Sequence, residues 1–200
     1  MQILTSTDAL EEIYGSPVPQ SLTKVTSHLT PLYRSWIGAA RFLVLSTIGP
    51  EGTDASPRGD DGPVVHVADD KTLWLPDWRG NNRIDSLRNI VRDPRVSLMF
   101  MVPGCNNVVR VNGTAVLTAD ESLRTQFARK SLLPATVAVI TVEELYFQCA
   151  KALMRSRLWD PAAERPAVPT AGQFLKEQEE SFEAEAYDAG YAEYAKSRMW

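Results

Sequence analysis

The chain has 200 residues, 44% of them hydrophobic, with a net charge of −4. That is enough apolar material for one domain with a proper core, and the charge argues against nucleic acid as the main partner. No apolar run approaches the ~20 residues needed to span a bilayer, and two cysteines are too few for a disulfide framework.

The opening Met-Gln-Ile-Leu-Thr-Ser-Thr-Asp has no basic region followed by an apolar core, so no secretory leader is expected. A reducing cytoplasm is the expected compartment, with Cys105 and Cys149 as small buried hydrophobes. Asp8 to Tyr14 predicts a short helix stopped by Gly15. Ser16 to Gln20 is a Pro-containing turn, and Leu22 to Leu29 a second helical piece. Thr30-Pro31 supplies a cap and a Pro at the first helical position. The helix then runs to Ala40 with Leu32, Trp36 and Ala39 or Ala40 on one side. Residues 1–40 thus form a helical segment that packs over the rest.

Strands follow. Arg41 to Ile48 is apolar and partly β-branched, Gly49-Pro50-Glu51-Gly52 turns the chain, and Thr53 to Arg58 pairs back. Ser56 to Pro63 is a polar loop dense in turn formers. Val64 to Ala68 and Lys71 to Leu75 form a hairpin about Asp69-Asp70. Pro76 to Gly80 interrupt regular structure. Asn81 or Asn82 then caps a helix whose apolar face is Ile84, Leu87 and Val91. Asp93-Pro94 ends it. Val96 to Val102 is an almost unbroken apolar run, as expected of a strand buried on both faces. Val108 to Leu117 and Thr136 to Phe147 are long strands, separated by a helix from Asp120 to about Lys130.

Cys149 to Trp159 returns to helical spacing. Asp160 to Gly172 is a Pro- and Ala-rich connector, and Gln173 to about Lys196 is a charged helix with little apolar face. From Gln173 onward seven acidic residues face three basic ones, so the whole net charge belongs to this tail. Six or seven strands joined mostly by tight turns favour an antiparallel barrel, in a mainly β chain with flanking helices (α+β), over a doubly wound parallel sheet. The barrel spans 41–159, and 160–200 is a linker with an acidic helix.

The chemistry is sparse. There is no Gly-x-Gly-x-x-Gly fingerprint, Walker loop or Gly-x-Ser-x-Gly elbow. His28 and His66 have no Cys, Asp or Glu at ligand spacing, so no metal site is expected, and His66 reads as a packed or surface histidine on a strand. Such a chain borrows its chemistry from a cofactor or has none. Three clusters of basic and donor groups remain. The first is Ser56-Pro57-Arg58-Gly59. The second is Asn81-Asn82-Arg83, where amide and guanidinium donors stand beside the free amides of a first helical turn, a setting that favours an anion. The third is Lys151, Arg155, Ser156 and Trp159. Positions 151, 155 and 159 share one helical face, which suits a phosphate and a flat aromatic ligand. The plain alternatives are a capped surface helix with a solvated Arg83, and a solvated basic face with Trp159 docked in the core.

These residues resemble the pyridoxamine 5′-phosphate oxidase-like family of flavoproteins. The likeness rests on the hairpin ending in Arg58, on Leu-Trp-Leu-Pro leading to Asn-Asn-Arg, and on Asp93-Pro-Arg-Val-Ser-Leu98. Arg110-Val-Asn-Gly113 and Cys149-x-Lys-Ala-x-x-Arg-Ser-x-Leu-Trp159 point to an uncharacterised branch, and the likeness covers roughly Trp36 to Trp159. It implies a split β-barrel that forms a homodimer, with FMN held at the subunit interface. It further implies that Arg58 lies near the flavin, that Leu75 and Pro76 run along it, and that Asn82 and Arg83 take the phosphate. Arg155, Ser156 and Trp159 would then reach the cofactor of the partner subunit. Asn82 departs from the usual basic residue, and Val108 stands where relatives carry a flavin-contacting Gln. The C-terminal Arg-Leu-x-Pro segment of true pyridoxamine phosphate oxidases is absent, which argues against vitamin-B6 oxidation. The expected function is an FMN-dependent oxidoreductase acting on a small molecule, with catalytic residues unassigned. The alternatives are a non-catalytic flavin or haem binder and a deazaflavin-dependent reductase.

Overall fold

The computed structural model describes residues 1–164 and 166–200; Arg165, inside the expected connector, lies outside the described residues. Three helices come first: α1 (Thr7–Tyr14), α2 (Pro19–Thr23) and α3 (Pro31–Gly38). Among the described residues, seven strands then form one antiparallel sheet. They are β1 (Phe42–Gly49), β2 (Gly52–Gly59), β3 (His66–Val67), β4 (Thr72–Asp77), β5 (Arg95–Met101), β6 (Val108–Thr118) and β7 (Thr136–Gln148). Their spatial order is β2-β1-β5-β6-β7-β4-β3. The edge strands β2 and β3 do not pair with each other, so the barrel is split rather than closed. The expected antiparallel split barrel is what the chain forms.

Strict alternation builds the core. Leu43 and Leu45 of β1, Leu98 and Phe100 of β5, and Val109 and Val111 of β6 all point inward and are buried. The strand from Val96 is therefore buried on one face, not both: Ser97, Met99 and Met101 are half-exposed. Ile37 of α3 closes the core, whereas Leu32, expected on the packing face, is 83% exposed. At Asn112/Gly113 a bulge shifts the β6–β7 register by one residue. A Cβ on Gly113 would collide with the Thr141 carbonyl oxygen, so the close approach of the two backbones there requires glycine.

Several helices are shorter than the spacing predicts. Residues 22–29 are not a helix beyond Thr23. Thr26 instead exchanges both backbone hydrogen bonds with Leu145 of β7, at 3.0 and 2.7 Å. The Asp120 helix is only α5 (Glu121–Arg124) plus a single 3₁₀ turn, Thr125–Phe127. Arg124 Nε donates to the Pro134 carbonyl at 2.7 Å, tying this short helix to the residues just before β7. The tail is two helices, α7 (Ala171–Gln178), opened by a Thr170/Gln173 capping box, and α8 (Ala184–Lys196). Cys149 is exposed and Cys105 half-buried, so neither is the buried hydrophobe expected. No helix among the described residues is long and apolar enough to cross a membrane.

The helix that positions the site is α4 (Asp85–Arg92). Its buried face is Ser86, Asn89 and Ile90, not Ile84, Leu87 and Val91; Val91 is 75% exposed. Two polar groups pin it to the first hairpin. Ser86 Oγ donates to Asp54 Oδ2 at 2.6 Å, and Asn89 Nδ2 donates to Thr47 Oγ1 at 3.1 Å. Buried polar atoms that find partners fix position more sharply than apolar contact alone. The register of α4, and of the loop before it, follows from these two bonds.

Candidate functional site

The site sits where the barrel is split. The β1–β2 pairing brings Gly59 opposite Phe42, and the β4–β7 pairing brings Asp77 opposite Thr136. Between these two ends the backbone ladder is missing, and a side-chain pair spans the gap. Arg58 Nη1 donates to Asp77 Oδ1 at 2.9 Å, with both side chains mostly covered. Burial pushes the Asp77 carboxyl up from its ordinary value, and the Arg58 guanidinium only partly opposes this.

A two-lobed cleft opens around this pair, with lobes of about 510 and 560 Å³. That is the size range of small-molecule and cofactor sites. Pro57, Arg58, Trp78, Arg79 and Gly80 line both lobes. One lobe is apolar, walled by Val64, Leu75, Pro76 and Trp78, with Gly59 at its rim. The other is rich in donors: Ser56, Asn81, Asn82 and Arg83 line it, together with Thr136. Eight of the expected site residues, Ser56, Arg58, Gly59, Leu75, Pro76, Asn81, Asn82 and Arg83, therefore converge.

The donor-rich loop is not a helix start. Ile84, in a left-handed conformation at φ 52°, precedes the first turn of α4, and no side chain caps it. Asn82 is left-handed as well, at φ 61°. Asn81 Oδ1 accepts from the Arg83 amide at 3.0 Å, closing an Asx turn that takes the place of the expected cap. Arg83 is engaged by Asp85 at 2.5 Å, which raises its pKa, and its side chain is 79% exposed. Arg79, by contrast, makes no ion pair or side-chain hydrogen bond among the described residues.

Three residues that line this cleft carry a buried polar atom with no hydrogen-bond partner among the described residues: Arg58 at Nε, Trp78 at Nε1 and Thr136 at Oγ1. Two are donors only, and each such orphan costs about 1–3 kcal/mol. Buried native groups are rarely left so. All three belong to residues around the same cleft.

At the outer end of the apolar lobe, Arg129 pairs with Asp60 and with Asp61 at 2.8 Å. Asp60 is pushed up, first by burial and then by its hydrogen bond with Asp61, while the hydrogen bond from Arg129 holds Asp61 down. Sequence reading missed Asp77, Trp78, Arg79 and Thr136. Trp78 and Arg79 lay inside a stretch already notable for Asn81–Arg83, but Thr136 enters only through strand pairing.

The third cluster does not join the others within one chain. The helix α6 covers only Lys151–Ser156, and left-handed Arg157 (φ 52°) ends it. Lys151 and Arg155 lie on it, but Trp159 is past its end, so the expected common face of 151, 155 and 159 is not formed. Trp159 Nε1 instead donates to the Cys105 carbonyl at 2.9 Å. Ser156 and Trp159 border a separate shallow hollow. β7 explains the separation: Thr136 is its first residue and Gln148 its last. At ~3.3 Å per residue this is on the order of 40 Å of strand.

Comparison with known proteins agrees with this architecture. Residues 29–149 match the family model described as pyridoxamine 5′-phosphate oxidase. The chain belongs to the pyridoxamine 5′-phosphate oxidase family. Among solved structures, it is similar to HupZ of Group A Streptococcus at 18% identity and a TM-score of 0.50, covering 60% of this chain and 99% of that one. A Lactobacillus delbrueckii protein named for pyridoxamine 5′-phosphate oxidase has 22% identity and a TM-score of 0.48, covering 60% and 95%. An FMN-binding protein of Syntrophomonas wolfei has 12% identity and a TM-score of 0.45, covering 58% and 83%. At these identities the likeness is one of fold. No curated protein matches the chain. In this member of the pyridoxamine 5′-phosphate oxidase family, the matched span contains the cleft except for its outermost wall.

Proposed function

We propose that the cleft binds FMN and that the protein is an FMN-dependent oxidoreductase acting on a small molecule. The observation that carries this reading is that Arg58, Trp78 and Thr136, whose Nε, Nε1 and Oγ1 are buried and unpartnered among the described residues, all line one cleft with a donor-rich and an apolar lobe. A ligand with a phosphate at one end and a flat ring carrying carbonyl and nitrogen acceptors at the other matches both lobes and all three orphans. Family membership makes FMN the natural choice. Ser56, Asn81, Asn82, Arg79 and Arg83 take the phosphate. Arg58 stands between the lobes, and Leu75, Pro76 and Trp78 exclude water from the ring. Once bound there, flavin supplies reversible electron or hydride transfer.

The working unit in this reading is a homodimer. Lys151, Arg155, Ser156 and Trp159 lie too far along β7 to reach their own cleft and complete that of a second copy. Free thiols at Cys105 and Cys149 suit a reducing cytoplasm.

The test is the visible spectrum of the purified protein, followed by FMN titration. Protein without flavin absorbance that gives no saturable FMN binding overturns the proposal. Anaerobic addition of reduced nicotinamide cofactors then separates enzyme from carrier, because bleaching of the flavin band is expected only of an oxidoreductase.

A further inference from the structure

Among the described residues, one wall of the apolar lobe comes from outside the family-matched span. Met199 and Trp200, which follow α8, line it together with Leu75 and Pro76. The Trp200 ring meets Trp78 edge to face, at 5.7 Å between centroids and 85° between planes. The Arg129 guanidinium lies over the Trp200 ring, 3.9 Å from its centroid. Arg129 is in turn fixed by Asp60 and Asp61, in the loop that follows Arg58.

Four segments distant in sequence thus meet at one mouth. Trp200 is half-buried, and with it in place a lobe of about 510 Å³ stays open. It walls the lobe and does not fill it. Edge-to-face packing on Trp78 and a cation above it hold an indole in place without consuming the lobe. The acidic tail, which the barrel does not need for its core, has a task on this account: α7 and α8 carry an aromatic ring to the site.

We propose that Trp200 is the closing wall of the ring-binding lobe, the residue against which the flat ring of the bound ligand lies. The inference rests on the flavin reading and deepens it by adding a ring-contacting residue. Removing an aromatic side chain from beneath a flat ring system costs about tenfold in affinity or more in comparable stacks.

The experiment is FMN titration of the full chain and of Trp200→Ala and Trp200→Phe, with inorganic phosphate as a competitor in each. Trp200→Ala is expected to weaken FMN binding about tenfold. It should leave the inhibition constant of inorganic phosphate unchanged, because phosphate has no ring to lose. Trp200→Phe should regain most of the affinity. FMN affinity in Trp200→Ala that is unchanged, or tighter as it would be if Trp200 merely blocked the lobe, overturns the proposal and leaves the flavin reading standing. An equal loss for FMN and for phosphate also overturns it, since the role is then structural. Absence of FMN binding in the unmodified chain removes both.

Discussion

Arg58 and Asp77 bridge the open seam of the barrel through one hydrogen bond of 2.9 Å, and the remaining buried donor of Arg58, Nε, has no partner among the described residues. The guanidinium is half committed to structure and half available. Arg58→Ala removes the available half. The expected loss in FMN affinity is about 1.5–3 kcal/mol, the worth of a hydrogen bond to a charged group. Isothermal titration at constant pH and salt measures it, and unchanged affinity refutes the assignment of Arg58.

Asp77 competes with an incoming anion for the same guanidinium. Burial raises its pKa from the ordinary 3.8. The folded state therefore holds this proton more tightly than the unfolded one. Linkage makes Asp77 cost stability as pH climbs from about 3.8 through the raised value. Asp77→Asn should flatten that decline in denaturant unfolding between pH 4 and 7. It should also tighten FMN binding several-fold by releasing Arg58. A steeper decline, or weaker binding, would show that Asp77 orients Arg58 and does not restrain it.

The fold was readable in the sequence because strand patterning is local. Leu43, Leu45, Leu98 and Phe100 announce their inward face by alternation alone, and Gly49 to Gly52 announces the hairpin turn. The first two donor clusters were readable for a similar reason, since Arg58 and Asn81 to Arg83 stand out against a chain poor in chemistry. What was not readable depends on contacts between distant residues. Asn81 caps an Asx turn and no helix, because Ser86 and Asn89 are bonded to Asp54 and Thr47 and so fix where α4 begins. The buried face of α4 defied hydrophobic spacing for the same reason. Thr136 joins the site only through the β4–β7 register, and Trp200 through its contacts with Trp78 and Arg129.

The exposed arginines are expected to matter less than Arg58. Arg83 must leave Asp85 to meet a phosphate, while Arg79 is uncommitted among the described residues. Both are solvent-facing, so each contributes at most about 1 kcal/mol. Arg79→Ala should cost more FMN affinity than Arg83→Ala, and both losses should shrink when salt is raised. Titration at low and high ionic strength tests this. Equal losses that salt does not change would place both guanidinium groups in direct, desolvated contact.

Asp93 offers a control far from the cleft. Arg95 holds its carboxyl down to about 2, chiefly through a side-chain hydrogen bond. A depressed folded value means that its stabilising contribution is present above the unfolded value near 3.8 and is lost as pH falls toward 2. Asp93→Asn should therefore flatten the acid limb between pH 4 and 2, as followed by circular dichroism. FMN affinity at neutral pH should not change. If the acid limb keeps its slope, the Asp93–Arg95 pair is a feature of the surface with no energetic consequence.

The distance along β7 makes the proposed dimer testable without a structure of it. Arg58 stands near the Thr136 end, and Arg155 follows the Gln148 end. If each cleft takes Arg58 from one copy and Arg155 and Trp159 from the other, two defective chains can repair one another. A chain with Arg58→Ala, mixed with an equal amount of a chain carrying Arg155→Ala and Trp159→Ala, then dissociated and reassociated, gives about half mixed dimers. Each mixed dimer has one cleft with every change and one with none, so about a quarter of all clefts bind FMN normally. Either chain alone should bind weakly. Failure of the mixture to regain tight sites, with dimer mass confirmed by sedimentation, would show that α6 and Trp159 serve only the Cys105 end of their own barrel.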